Sequence, residues 1–278
     1  MLKHEYTGNG KVVLIAGGGK IYTDIAARFV RSERPLEEII ASPYSKTIVD
    51  NILTCGHKAA LEFDFFLFGV EGYSRVTEVQ LVRKRLASYL IKSGRPNLSG
   101  KRLFSLIYPE RIANFAAPVS IPIEYCSTPS GEPLINNVKN AKDITINVNT
   151  RLLAEITEQW YESGVQLGLA EEDLRYMKPQ ATEFKAIIGM NAHALHDWFS
   201  IRCCFNAQEE IRDLANKMLK LCKNAAPDLF QNSGASCLQL GYCPENKAQN
   251  KRCIGKTVTK DEALRILRDY KKKNADDA

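Results

Sequence analysis

The feature that most constrains this chain is the way its apolar residues switch between two periods. Strand-like and helix-like stretches follow one another without the β-α-β rhythm of a doubly wound parallel sheet, which predicts an α+β fold. Lys11 to Ala16 reads as a short strand closed by Gly17, Gly18 and Gly19. Ser45 to Cys55 carries Ile48, Ile52 and Leu53 at helical spacing, with Gly56 placed to end the helix. Leu61 to Val70 is rich in Phe and partly alternating through Phe63, Phe65 and Leu67, so it predicts a strand. Ser74 is placed to cap a helix running through Val79, Val82, Leu86 and Leu90 and stopped by Gly94 and Pro96.

The stretch from Pro118 to Asp143, with four prolines, reads as loop. A helix from about Asn149 to Gly164 would bury Leu152, Ile156 and Trp160. A strand over Phe184 to Met190 then precedes helices over Ala192 to Ile201 and Ala207 to Ala225. The second of these has the inward stripe Ile211, Leu214, Met218, Leu219 and Cys222. Beyond residue 231 the periodicity fades and three Cys appear before a basic helix over Asp261 to Lys273. The expected organisation is a single domain over residues 1–231 and a Cys-containing extension over 232–278.

Composition removes whole classes. Hydrophobic residues make up 45% and charged residues 25% of the 278, which excludes disordered, collagenous and coiled-coil chains. The longest clean apolar run, Val12 to Ala16, falls far short of the ~20 residues that span a bilayer. With no secretory-signal pattern at the start, the expectation is a cytoplasmic protein without membrane contact. The eight Cys are then thiols or metal ligands rather than a disulfide framework. The net charge of +6 suits either a nucleic acid or a phosphorylated small molecule.

Three familiar patterns fail. Gly17-Gly18-Gly19-Lys20 invites a phosphate loop, but Leu14 stands where the first Gly belongs and Ile21 where the Mg²⁺-binding hydroxyl belongs. His193 and His196 share a helix face without a carboxylate between them or a third ligand, so no metal is assigned. Cys237, Cys243 and Cys253 lack the short spacing of a zinc site; a fourth ligand would have to come from Cys222 or another subunit.

The most unusual stretch is Arg83 to Arg95, where five cations stand close to Ser88, Ser93 and Gly94. On a helix Gln80 and Arg83 would share a face, and Ser93-Gly94-Arg95 would follow as a loop with open N–H donors. Forked guanidinium donors, hydroxyls and backbone N–H groups together suit a phosphate and a planar base. A solvated basic helix accounts for the same residues.

Arg83-Lys84-Arg85, seven residues, then Ser93 resembles the Arg-His-Arg signature of the flavin-dependent thymidylate synthases. Cys55-Gly56-His57, Leu61-Glu62, Glu71-Gly72-Tyr73-Ser74-Arg75, Gln80-Leu81-Val82 and Ala87-Ser88-Tyr89 resemble that family's first half in order and spacing. Asn191-Ala192, Leu195, Arg202, Ala207-Gln208 and Glu210-Ile211 resemble its second half, and Gly241 to Glu245 an extension of some members.

The resemblance implies a homotetramer that binds FAD between subunits and methylates C5 of dUMP. Methylenetetrahydrofolate and NADPH would be co-substrates, and no nucleic acid polymer would be bound. By matching position, His57, Arg83, Lys84, Arg85, Asn191, His193 and Asp197 would face the cofactor. Gln80, Ile91, Ser93, Gly94, Arg95 and Lys185 would hold the nucleotide, and Arg202 would activate the uracil as the catalytic cation. The chain resembles a divergent member: Lys84 replaces the signature His, Ile91 a Glu or Gln, Phe63 a His, Lys185 and His193 each an Arg, Asp197 an Asn and Asn206 a His. These departures raise two alternatives, a paralogue modifying C5 of another pyrimidine nucleotide and a non-catalytic nucleotide- or flavin-binding protein.

Overall fold

The computed structural model describes residues 3–19, 21–92, 105–122, 125, 143–245, 253 and 257–275. Ser93, Gly94 and Arg95 lie outside them. The chain runs through β1 (Lys3–Tyr6), β2 (Lys11–Ala16), α1 (Tyr22–Phe29), α2 (Leu36–Ala41) and α3 (Lys46–Cys55). A 3₁₀ turn (Lys58–Phe63), β3 (Phe65–Ser74), α4 (Arg75–Leu81) and β4 (Ser88–Ile91) follow. Next come β5 (Ser105–Tyr108), α5 (Glu110–Ala113), β6 (Ala116–Pro122), β7 (Asp143–Asn149), α6 (Thr150–Gln166) and α7 (Glu171–Leu174). The last elements are β8 (Glu183–Asn191), α8 (Ala192–Arg202), α9 (Glu209–Ala225), α10 (Pro227–Phe230), α11 (Ser236–Leu240) and α12 (Lys260–Ala275). Helices and largely antiparallel sheets together make the α+β fold that the patterning predicts.

Two compact units result. One comprises Met1–Thr7 with Ser93–Glu183, the other Gly8–Lys92 with Phe184–Ala278, so residue 232 falls inside the second. In the first unit β1 pairs parallel with β5, and β6 pairs antiparallel with β7 from Ala116↔Asn149 to Pro122↔Asp143. Part of the expected Pro118–Asp143 loop is therefore strand. Two prolines fit because a two-stranded ribbon leaves each strand an edge where a missing N–H removes no ladder bond. The side chain of Asn149 caps α6 by accepting from the Leu152 N–H at 2.8 Å.

The expected inward face of α6 is wrong. Ala154, Tyr161 and Gly164 are buried, while Ile156 and Trp160 are 47% and 49% exposed. Close packing chose the face: a Cβ at Gly164 would stand 2.4 Å from the Leu174 side chain, an approach open only to glycine. Leu153, Ile156 and Trp160 are left as an uncovered apolar stripe.

The second unit is built on a four-stranded sheet in the order β2-β3-β8-β4. β2 runs antiparallel to β3, and β4 antiparallel to β8 with Ser88 opposite Gly189 and Ile91 opposite Ala186. Phe66, Phe68 and Val70 alternate into one core with Ile188, Met190, Leu195, Phe199, Leu214 and Met218. Leu61 to Phe63, expected to begin a strand, lie in the 3₁₀ turn, and the strand starts at Phe65. Val13, Ile15, Phe65, Leu90 and Ile187 are exposed on the sheet's opposite face.

The glycine run has a packing reason. Gly18 takes φ of 82°, and a Cβ there would lie 2.6 Å from the Ala225 carbonyl oxygen at the end of α9. Gly18→Ala combines left-handed strain with a backbone clash and is expected to cost roughly 2–3 kcal/mol in urea unfolding.

His196 is structural rather than a ligand. Its Nε2–H donates to the Leu229 carbonyl at 2.9 Å and its Nδ1 accepts from the Ser233 hydroxyl at 3.0 Å, in the neutral form. Burial pushes its pKa down to about 4. The folded-state value lies below the unfolded one, so the neutral ring contributes full stability above about pH 6.5. That contribution is lost as pH falls through the window from 6.5 to about 4. The expected loss approaches ~3 kcal/mol, and His196→Gln should flatten this part of the stability–pH curve measured by denaturant unfolding.

Candidate functional site

The site begins where β3 turns into α4. The backbone N–H and hydroxyl of Ser74 both donate to the Glu210 carboxylate, at 2.6 and 2.5 Å, inside the core. One residue earlier, the Tyr73 hydroxyl donates to Asp213 at 2.9 Å, so α9 grips the start of α4 at two points. Helix α9 is itself capped by Gln208, whose side chain accepts from the Glu210 and Ile211 N–H groups. The Ala-Gln and Glu-Ile pairs read from the sequence are thus the parts that anchor α4.

Helix α4 ends at Leu81, and the expected continuation to Leu90 is overturned. Residues 82–87 form a turn, and Ser88–Ile91 are a sheet strand. The Tyr89 hydroxyl closes this turn by donating to the carbonyls of Leu81 and Lys84, at 2.9 and 3.1 Å. Backbone pairing with β8 outweighs the helical spacing of Val82, Leu86 and Leu90, all of which are exposed. Gln80 and Arg83 therefore do not share a helix face. Arg83, Lys84 and Arg85 instead project from a short, braced turn.

Six of the expected residues, Gln80, Arg83, Lys84, His193, Asp197 and Arg202, take part in the contacts here, together with Lys58 and Glu62, which had been given no role in the site. Arg202, at the C-terminal end of α8, donates through Nη2 to the Gln80 carbonyl at 3.2 Å. Burial lowers its pKa from the usual arginine value, and Arg83 nearby adds to this. Along α8, Asp197 faces Lys84 at 3.5 Å, Lys58 at 3.4 Å and His193 Nε2 at 3.8 Å. His193 Nδ1 lies 3.2 Å from Glu62. Lys58 and Glu62 come from the 3₁₀ turn, whose position is fixed by Asp64 accepting from the Tyr22 and Thr23 N–H groups. Glu62 carried a signal in the Leu-Glu pair, whereas Lys58 had none.

The other expected residues are placed differently. The side-chain oxygen of Asn191 caps α8, accepting from the Ala194 N–H at 2.8 Å. His57 is exposed at the head of the 3₁₀ turn, and Arg83 and Arg85 are exposed. Lys185 points to the open face of the sheet and pairs with Glu71 at 2.7 Å. With Ile91, Lys11 and Lys92 it borders a cleft of about 650 Å³. The candidate nucleotide residues within the described chain thus fall into two groups, Gln80 with the α8 cluster and Ile91 with Lys185.

Among the described residues no group of three or more His, Cys, Asp or Glu is arranged to hold a metal. Cys222 is buried in the main core, and Cys237 packs against that core. No helix of the described residues is long and apolar enough to cross a membrane.

Comparison with known proteins agrees with the residue pattern. The family model described as thymidylate synthase complementing protein matches residues 18–228. The chain is 36% identical over 199 residues to a flavin-dependent thymidylate synthase of Nitratidesulfovibrio vulgaris, covering 72% of each chain. It is 33% identical over 245 residues to that of Clostridium tetani, covering 87% of this chain and 88% of the relative. A crystal structure of the UMP/dUMP methylase PolB from Streptomyces cacaoi bound with 5-Br dUMP shares the fold. Its TM-score is 0.60 at 16% identity, over 83% of this chain and 96% of that one. The chain belongs to the thymidylate synthase complementing protein family, that of the flavin-dependent thymidylate synthases.

Proposed function

We propose that this chain is a flavin-dependent thymidylate synthase that methylates C5 of dUMP reductively, with methylenetetrahydrofolate as carbon donor, NADPH as reductant and FAD as cofactor. The observation that carries the reading is Arg202, a half-buried guanidinium held on the Gln80 carbonyl next to the signature turn. Its remaining N–H donors form a fixed cation that stabilises negative charge developing on a pyrimidine ring. Such a preorganised group contributes several kcal/mol to a barrier.

The residues present fit FAD. Lys58, Lys84 and His193 meet at Asp197 to form a rim, and the exposed Arg83 and Arg85 of the same turn as Lys84 would add forked donors, a set suited to two phosphates. His57 heads the turn that carries Lys58 and Asn191 caps the helix that carries His193 and Asp197, and Asp197 counters part of the charge of the two lysines. FAD, when bound, supplies two-electron redox chemistry. The chain's own residues bind the cofactor, orient the nucleotide through Gln80 and Lys185, and hold charge at Arg202. Ile91, Ser93, Gly94 and Arg95 complete the nucleotide set.

The separation of Lys185 and Ile91 from the α8 cluster supports a site completed by a second copy, as a homotetramer provides. The uncovered apolar residues of α6 and of the open sheet face give such an assembly surfaces to bury. The deciding experiment is growth of a thymidine-requiring bacterial strain carrying the gene. Growth without thymidine is expected; failure despite soluble, flavin-loaded protein overturns the reading.

A further inference from the structure

Asp197 is the meeting point of side chains from three separate elements. Lys58 arrives from the 3₁₀ turn, Lys84 from the turn after α4, and His193 from one turn back along α8. The Lys84 side chain is 20% exposed, and those of Lys58 and Asp197 are 40% and 41% exposed. Ion pairs this open ordinarily contribute ~0–1 kcal/mol to folding. Three elements converging on one half-exposed carboxylate are therefore poorly explained by stability. They are better explained by their effect on whatever binds at that rim. Partial burial pushes the Asp197 carboxyl up, but Lys84, Lys58 and His193 outweigh it and hold the group below the ordinary aspartate range. The carboxylate is thus ionised beside two ammonium groups at neutral pH.

We propose that Asp197, Lys58 and Lys84 together set the reduction potential of the flavin bound at this rim, the carboxylate cancelling part of the field of the two ammonium groups. The inference rests on the reading of the site as a flavin site and adds Lys58 to it. Reduction of the flavin by two electrons and one proton leaves the ring one negative charge richer than the oxidised form. Cations nearby favour that form and an anion disfavours it. Lys58 and Lys84 then act against Asp197, and the balance is a property of the cluster rather than of any one residue.

The test is the midpoint potential of the FAD-loaded protein at low ionic strength, titrated against a dye of known potential. Asp197→Asn should raise the preference for reduced over oxidised flavin about three- to tenfold, which is ~15–30 mV for a two-electron couple. Lys58→Gln and Lys84→Gln should each shift it by a similar factor in the opposite direction. The double variant Asp197→Asn/Lys84→Gln should return to within about twofold of the parent, since one charge of each sign has been removed. A merely structural role moves the thermal unfolding midpoint and gives no opposed signs. Shifts of one sign in all three single variants, or an unchanged potential in folded, FAD-loaded Asp197→Asn, overturn the proposal. A parent protein that takes up no FAD overturns the functional reading, a result plainly different from an unshifted potential.

Discussion

Arg202→Ala protein is expected to bind FAD as the parent does and to lose methyl transfer by at least 10²–10³-fold, the effect of removing one preorganised charge-stabilising group. The guanidinium is held by the Gln80 carbonyl at 3.2 Å and partly desolvated, so it is in place before any ligand arrives. Desolvation also strengthens its interaction with charge on a bound ring. Arg202→Lys should recover little, because one ammonium cannot both keep the Gln80 contact and present a forked pair of donors. The checks are single-turnover product formation and FAD affinity by fluorescence quenching. Activity within a few-fold of the parent would remove Arg202 from its assigned role.

The second large effect is structural. Glu210→Ala is expected to cost roughly 3–5 kcal/mol, because it strips both acceptors from the buried Ser74 N–H and hydroxyl and opens a cavity. Glu210→Gln keeps one acceptor in place and should cost about half as much. Denaturant unfolding separates the two variants. FAD affinity should fall with stability in both, since Ser74 anchors the helix that leads into Arg83 and Lys84. An alanine variant within ~1 kcal/mol of the parent would show that α4 is held elsewhere.

Elements whose boundaries are written in local chemistry were legible in the sequence. Gly56 ends α3 with φ of 74°, and the amphipathic stripe of α9 is buried as read. The family was legible too, because the signature and the paired segments around it sit at characteristic spacings. The failures were decided by partners outside the segment that the periodicity describes. Residues 82–91 have helical spacing, yet β8 recruits Ser88–Ile91 as a strand. The buried face of α6 was set by Leu174 approaching Gly164, which periodicity cannot register when both faces carry apolar residues. Lys58 stayed invisible for the same reason: its partner Asp197 is 139 residues away.

The chain path of the second unit also has a kinetic consequence. The pairing of Ser88–Ile91 with Ala186–Gly189 closes a loop of nearly a hundred residues, which contains the Ser93–Glu183 part of the first unit. Closing so long a flexible loop costs about 4 kcal/mol of chain entropy, and ordering the intervening segment beforehand lowers that cost. During synthesis β3 and α4 emerge long before β8, α8 and α9, so the signature turn waits without its brace until the last third of the chain has been made. The sheet seam between β4 and β8 should accordingly be among the last native contacts to form, and slow refolding after denaturation the sign of it.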